Sequence, residues 1–319
     1  MVSLRTTALM TALLVTMAAV NTTASPIQGH ADATPAIVKR GMSGGSGSSA
    51  SGTGGSAFWA FFKKGWDLYN HFSPRMAIPN RLPSTMRNFV SAGRKIVAIG
   101  RNYRDHALEL GNQIPKAPFF FLKPTSSYVE PPAPIEIPRG CNVHHEVELG
   151  VVIGQTGRDI SEAHADDYIA GYALALDLTA RNMQAEAKKQ GLPWSAAKGF
   201  DTFTPISAFI DKAHIPEPHR VRLWCSIDGV TKQDGWTSDM MFQIPQLLAH
   251  VSSIMTLEAG DVILTGTPKG VGPILPGETI DAGLAVLDPD GHETTLAEMS
   301  FPAVSRQGLF SFTSEAAKL

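Results

Sequence analysis

Two carboxylates two positions apart give this 319-residue sequence its clearest chemical signal. In His144-His145-Glu146-Val147-Glu148-Leu149-Gly150-Val151, polar and apolar types alternate with the period of a β-strand. That puts His144, Glu146 and Glu148 on one face and Val147, Leu149 and Val151 on the other. Like charges on one strand face repel, so the pair makes sense either around a cation or on a face fully open to water. A third carboxylate, Asp177, ends the apolar run Ile169 to Leu176 and stands just before a helical pattern. It could instead be a residue near the helix start, favoured by the amino-terminal dipole, with Thr179 as the cap. Together Glu146, Glu148 and Asp177 offer hard oxygen ligands and no thiolate, the donor set of Mg2+ or Mn2+ and not of zinc. A zinc HExxH motif starting at His145 fails because its last position is Leu149.

Other candidates could serve a ligand of such a metal. Arg181 and Gln184 lie three apart and share a face of the predicted helix, and Lys198 follows the turn Gly191-Leu192-Pro193-Trp194. A cation and an amide donor near a metal suit a substrate with carboxylate and ketone oxygens. His106 and Glu109 fall at i and i+3 in the helical stretch Tyr103 to Leu110, close enough for the carboxylate to orient the imidazole as a general base. Gly111 and residues 112–116 after it are candidates for a mobile lid. The stretch Thr265-Gly266-Thr267-Pro268-Lys269-Gly270-Val271-Gly272 resembles a phosphate loop only superficially. No GK[ST] follows, and Leu275 holds the third-glycine position of GxGxxG, which argues against nucleotide binding. Such a turn can still aim backbone N–H groups at a carboxylate, with the Thr267 hydroxyl beside them.

The elements that must position these residues are mostly strands. Ile96 to Ile99 form a short apolar run closed by Gly100, and β-like runs recur at Phe119 to Leu122, Val147 to Ile153, Val221 to Ile227 and Val262 to Thr265. Helical periodicity is confined mainly to Thr179 to Lys189, with Gly191 as its stop, and Ile244 to Ser252. The balance predicts a mixed α+β domain dominated by sheet, without a regular βαβ series. A composition of 43% hydrophobic and 18% charged residues allows a real core, and a formal net charge of -2 does not advertise nucleic acid as a partner. Cys141 and Cys225 are too few for a disulfide framework, which favours a reducing compartment.

Ahead of the domain, the apolar segment Ala8 to Val20 is too short for a membrane span and is expected to be a targeting segment within residues 1–25. Residues 26–56 read as a flexible linker, since twelve of the fifteen residues from Gly41 to Gly55 are Gly or Ser. Its Gly41-Met42-Ser43-Gly44-Gly45 matches the GxSxG nucleophile elbow but lacks the strand and helix that elbow requires. Residues 57–94 form an aromatic-rich extension, and 297–319 a C-terminal tail. The address signals conflict. The N-terminal segment looks secretory, Ala317-Lys318-Leu319 is close to the SKL peroxisomal signal, and the cytosol is a further alternative.

Taken in order, Gly100-Arg101-Asn102-Tyr103, Phe121-Leu122-Lys123-Pro124, His145-Glu146-Val147-Glu148-Leu149, Leu176-Asp177-Leu178-Thr179-Ala180-Arg181 and Leu264 to Gly272 resemble the fumarylacetoacetate hydrolase family. The likeness is greatest to its acylpyruvase and oxaloacetate decarboxylase branch. The resemblance spans residues 95–296. It implies a mixed β-rich roll of that family's C-terminal domain type, usually a homodimer, with Mg2+ or Mn2+ on Glu146, Glu148 and Asp177. It implies His106, Glu109 and Lys198 as the catalytic residues, with the segment of His106 and Glu109 closing as a lid. Arg101, Lys123, Arg181, Gln184 and Thr267 match positions that line the oxo-acid pocket or steady the metal's surroundings. The implied chemistry is carbon–carbon cleavage in small oxo-acids, as acylpyruvate hydrolysis or oxaloacetate decarboxylation, through a metal-stabilised enolate. Oxaloacetate tautomerisation and a non-catalytic metal-stabilised binding protein are the rivals, and the family points to the mitochondrion.

Overall fold

The computed structural model of the chain describes residues 87–109, 111, 113–288 and 290–313. The expected targeting segment, the linker, the extension up to residue 86, Asn112 of the lid stretch and Ala317-Lys318-Leu319 lie outside the described residues. Strands β1 (Ile96–Gly100), β2 (Phe119–Lys123), β3 (Tyr128–Val129), β4 (Ile135–Ile137), β5 (Val143–His144), β6 (Val147–Ile153), β7 (Ile169–Leu176) and β8 (Thr179–Ala180) fill the first half. β9 (Thr204–Pro205), β10 (Ile210–Asp211), β11 (Val221–Ile227), β12 (Val230–Trp236), β13 (Val262–Leu264), β14 (Thr279–Leu287) and β15 (Glu293–Ser305) follow. Between them lie the helices α1 (Phe89–Ala92), α2 (Arg104–Glu109), α3 (Arg181–Gln190), α4 (Ser195–Lys198) and α5 (Ile244–Ser252). Few helices and mixed sheets make this an α+β fold of the expected β-rich kind.

Two sheets dominate, one in the order β10-β7-β6-β13-β1-β2 and the other in the order β12-β11-β14-β15-β4. The first is buried on both faces, which is why β6 and β7 have no exposed residue. Alternate side chains divide between two cores. Val97, Ile99, Leu149, Val151, Leu174 and Leu176 enter the core shared with Leu223 and Leu284 of the second sheet, whereas Ile96, Ala98, Val152, Ala173 and Ala175 pack on the opposite face against Phe89. This parity sets the chemistry. Glu148 falls in step with Val152, Asp177 with Ala173 and Ala175, and Lys123 with Phe121, so all of them belong to the face away from the larger core. The antiparallel register places Glu148 opposite Ala175, and the Asp177 N–H donates to Glu146 O at 2.8 Å just beyond the last ladder pair.

Local sequence explains the helix ends. Gly191 adopts a left-handed conformation (φ 69) that ends α3 by donating to Ala187 and Lys188 carbonyls. Gln243 and Gln246 form a capping box on α5, with Pro245 in its first turn. Three expectations are corrected here. His144 to Val151 is not one strand, because the chain pairs as β5 and again as β6, with His145 and Glu146 between them. Thr179 does not cap α3: it pairs with His144 in β8, Ala180 is the N-cap, and the Thr179 hydroxyl is turned onto Glu146 Oε1 at 2.8 Å. The run at Val262 ends with Leu264, one residue short of Thr265.

At its edges the fold runs past the expected domain limits. β15 continues through Leu296 to Ser305, pairing Phe301 with Ile280 and Ala303 with Ile135. Upstream, the Arg94 and Lys95 N–H groups both donate to Asp261 Oδ1, at 3.0 and 3.1 Å, and Phe89 is buried.

Asn102 ties the end of β1 to the rest of this frame, donating to Phe242 O and Thr265 O and accepting from the Phe242 N–H. Asn102→Ala strands one buried and two partly buried backbone groups and should cost about 1–3 kcal/mol of unfolding free energy. Urea denaturation checks it, and a loss under about 0.5 kcal/mol would contradict the bridging role.

Candidate active site

Pairing of β6 with β7 gathers Glu146, Glu148 and Asp177 at one point. Each offers a carboxylate oxygen, and those oxygens lie within 4.8 Å of one another. They are 6%, 1% and 1% exposed, so the solvated-face alternative is excluded. Burying three carboxylates demands counter-charge. Lys123 Nζ reaches Asp177 Oδ1 at 2.5 Å, and Lys198 Nζ bridges Asp177 Oδ2 at 2.5 Å and Glu146 Oε2 at 2.9 Å. Arg181 Nη2 takes Glu146 Oε1 at 2.5 Å, while its Nη1 donates to Gln184 Oε1 at 3.2 Å. Glu148 has no ion-pair partner among the described residues and accepts one hydrogen bond, from the Gly266 N–H at 2.7 Å.

The electrostatics follow from that inventory. Burial works to raise the Glu146 carboxyl, yet Lys198 and Arg181 outweigh it and hold the group below the ordinary carboxylate range. Glu148 is pushed well above that range, by burial first and then by Asp177 and Glu146. Burial alone would lower Lys198, but Asp177 and Glu146 raise it, so its ammonium is secure, whereas burial lowers Lys123 despite Asp177. A divalent cation fits this floor. The donors are all oxygen, their spacing is short, and the one carboxylate lacking a cationic partner is the one whose ionisation its neighbours oppose.

Above the floor opens a cleft with about 390 Å³ of empty space, part of it continuous with solvent. Arg101, His106, Glu146, Glu148, Asp177, Arg181, Gln184, Lys198 and Thr267 all line it. Lys123 does not, since its ammonium is spent on Asp177 and on Phe203 O at 2.6 Å. Glu109 also stays outside the lining, behind His106, with its Oε2 3.4 Å from His106 Nδ1. Burial lowers the proton affinity of His106, keeping its imidazole uncharged near neutral pH.

The glycine-rich turn aims N–H groups at carboxylates, as such a turn can. It points them at the protein's own: Gly266 at Glu148, and Gly270 at both Glu109 oxygens at 3.1 Å. Gly266 (φ 96) has no room for a side chain, since a Cβ would come within 2.7 Å of Asn102 Cβ. The Thr267 hydroxyl is likewise engaged, donating to Val147 O at 2.8 Å.

Phe121, Lys188 and Trp194 also line the cleft and were not singled out in the sequence. Lys188 lies over the Trp194 ring at 5.1 Å and Lys198 over Phe121 at 4.7 Å. A helical projection could have found Lys188, which stands one turn beyond Gln184. Trp194 gave no signal, because its position depends on the fold of the turn after Gly191.

Residues 95–300 match the fumarylacetoacetate hydrolase C-terminal family. The chain is 58% identical over 207 residues to a mitochondrial oxaloacetate decarboxylase of Dictyostelium discoideum, covering 64% of this chain and 95% of that protein. It is 56% identical over 205 residues to a mitochondrial oxaloacetate tautomerase of Arabidopsis thaliana, covering 64% of this chain and 92% of the relative. Among solved structures, fumarylpyruvate hydrolase from Pseudomonas aeruginosa in complex with Mn2+ and pyruvate aligns with a TM-score of 0.61 at 31% identity. That alignment covers 67% of this chain and 91% of the other.

Burial, and then Arg181, push His144 down to about 4. The unfolded chain therefore binds a proton that the folded chain refuses between about pH 6.5 and pH 4. Stability from this group is complete above the unfolded value and is lost as pH falls through that window. His144→Gln should flatten the acid side of a Tm-against-pH curve measured without metal, and an unchanged slope would exclude His144 as a contributor.

Proposed function

The chain belongs to the fumarylacetoacetate hydrolase family, and from that membership we propose that it is a divalent-metal-dependent enzyme cleaving a carbon–carbon bond in small 2-oxo-acids. Oxaloacetate decarboxylation is the first reaction and acylpyruvate hydrolysis the second. One observation carries the proposal: three buried carboxylates with oxygens within 4.8 Å of one another form the floor of a cleft that also holds an uncharged His106.

Held by Glu146, Glu148 and Asp177, Mg2+ or Mn2+ supplies a Lewis acid for ketone and carboxylate oxygens. The charges of the chain suit the same substrates. Three carboxylates are matched by Lys123, Lys198 and Arg181, so a site loaded with a doubly charged ion is net positive and selects an anion. Arg101 and Lys188 add positive charge to the cleft wall. Arg181 and Gln184 orient the substrate carboxylate, and Lys198, fixed by two acids, donates to oxygen that gains charge. Phe121 and Trp194 restrict water.

In acylpyruvate hydrolysis, His106 takes a proton from the water that attacks the distal carbonyl while Glu109 steadies the imidazolium; the bond from that carbon to the neighbouring methylene carbon then breaks, releasing the acid and the enolate of pyruvate, which takes the proton back. In oxaloacetate decarboxylation, CO2 leaves and the electron pair returns to the carbon beside the ketone as an enolate. No water attack is needed, and the final proton reaches that carbon with His106 as the nearby exchanger. A second reading, keto–enol tautomerisation of oxaloacetate, is favoured by the name of the Arabidopsis relative and needs only the proton transfer at His106. Both named relatives are mitochondrial, and we place this chain in the mitochondrion and expect a homodimer.

Proton NMR of products from oxaloacetate and acetylpyruvate, with and without Mg2+, tests the assignment. Glu146→Ala should abolish every activity, whereas His106→Ala should slow hydrolysis or tautomerisation by about 10²–10⁴-fold and decarboxylation far less. Tight metal binding with no turnover of any oxo-acid would instead identify a non-catalytic binding protein. Equal, small losses for both variants would contradict the scheme.

A further inference from the structure

The second sheet supplies no lining residue to the cleft, yet it reaches the segments behind the floor through Gln233, with Cys225 of β11 beside it 3.3 Å from His145 Nδ1. Gln233 of β12 is 1% exposed, and all four of its side-chain hydrogen-bonding positions are used. Oε1 accepts from the Val147 N–H at 3.0 Å and from His145 Nδ1 at 2.9 Å, while Nε2 donates to the Thr267 hydroxyl and to Pro268 O, both at 2.8 Å. These partners fix the amide's orientation. Turned over, its NH2 would face the Val147 N–H and its oxygen the Pro268 carbonyl, two buried mismatches. They also place the His145 proton on Nδ1 and direct the Thr267 hydroxyl proton to Val147 O.

Each partner stands one step from the floor of the cleft. Val147 separates Glu146 from Glu148, and Thr267 follows Gly266, whose N–H is the one hydrogen-bond donor to Glu148 among the described residues. One amide therefore spans the two segments whose separation decides where Glu148 points. We infer that Gln233 is a positioning residue, holding the Glu146–Glu148 segment and the Gly266–Thr267 turn at the spacing that metal and oxo-acid require. The inference rests on the metal reading of the three carboxylates. Gln233 neither lines the cleft nor touches a carboxylate, so it acts through its four partners, His145, Val147, Thr267 and Pro268. Losing the amide removes four buried hydrogen bonds at once, leaving the Val147 N–H and the Pro268 carbonyl without these partners, and lets the turn drift relative to β6. Displacements of about 1 Å at such distances are enough to cost a site much of its function.

The test is Mn2+ titration calorimetry on the full chain, alongside Tm and the separate kcat and KM for oxaloacetate. The proteins are wild type, Gln233→Met, Gln233→Glu and Ser252→Ala. Ser252 is the control for loss of a buried hydrogen bond: it accepts from the Ile160 N–H at 2.9 Å and lies on α5, which lines no part of the cleft. Gln233→Met should weaken Mn2+ binding by about 10- to 100-fold and lower kcat/KM, while Ser252→Ala lowers Tm and leaves Mn2+ affinity within about twofold. Gln233→Glu keeps the acceptor for Val147 but sets an oxygen against the Pro268 carbonyl, so it should shift affinity in the same direction, and it decides the matter if the methionine variant does not fold. Folded Gln233 variants that bind Mn2+ within about twofold of wild type overturn the inference and leave the metal reading intact. Failure of both variants to fold overturns it as well, by making Gln233 a purely structural residue. A wild type that binds no Mn2+ overturns the metal reading and this inference with it.

Discussion

Three carboxylates buried at the end of an apolar sheet are the constraint around which this molecule is organised. Left alone, their mutual repulsion and lost hydration would be relieved by protonation or by unfolding. Two ammonium groups and a guanidinium answer the charge, and each comes from a different element: Lys123 from β2, Lys198 from α4 and Arg181 from the first turn of α3. Each paired acid has two cations, Glu146 with Lys198 and Arg181 and Asp177 with Lys123 and Lys198, so removing one leaves a buried acid half-compensated, a greater penalty than the loss of a surface pair.

The same constraint explains why so much backbone is committed to holding side chains. The glycine-rich turn after β13 spends its N–H groups on Glu148 and Glu109, one on the floor of the cleft and one behind the imidazole. It thus links the carboxylate floor to the helix carrying His106. Position, more than any unusual residue type, is what the fold contributes, since gathering several anionic oxygens at one point depends on close placement.

Charge also connects structure to substrate class. With all three acids ionised the three cations balance them, so a divalent ion bound there would leave an excess of positive charge facing a cleft walled by Arg101 and Lys188. Anions with two adjacent oxygen donors answer that excess, and 2-oxo-acids are such anions. Under the proposed function the three reactions would share this capture step and part at the bond that breaks, carbon to carboxylate in decarboxylation, carbon to acyl in hydrolysis and carbon to hydrogen alone in tautomerisation, with His106 placed for the proton transfers.

Much of this was legible from residue order alone. The strand period placed Glu148 on the face opposite Val147, Leu149 and Val151, the all-oxygen donor set favoured a hard ion, and Gly191 marked the end of α3; these depend on local rules of pleat, ligand chemistry and backbone sterics. Tertiary pairing decided the rest. Thr179 reads as a helix cap, yet β5–β8 pairing takes its backbone and turns its hydroxyl onto Glu146. The glycine-rich turn reads as a donor for some carboxylate, and only the register of β13 against β6 decides that Gly266 meets Glu148. Leu296 reads as an end, although strand pairing carries the sheet to Ser305. Gln233 gave no signal, because a lone glutamine in a polar strand gains meaning only when two sheets pack and four buried groups, distant in sequence, need one amide. Local pattern settles which way a side chain faces, but what it faces depends on contacts between segments far apart in the chain, and no local periodicity encodes those.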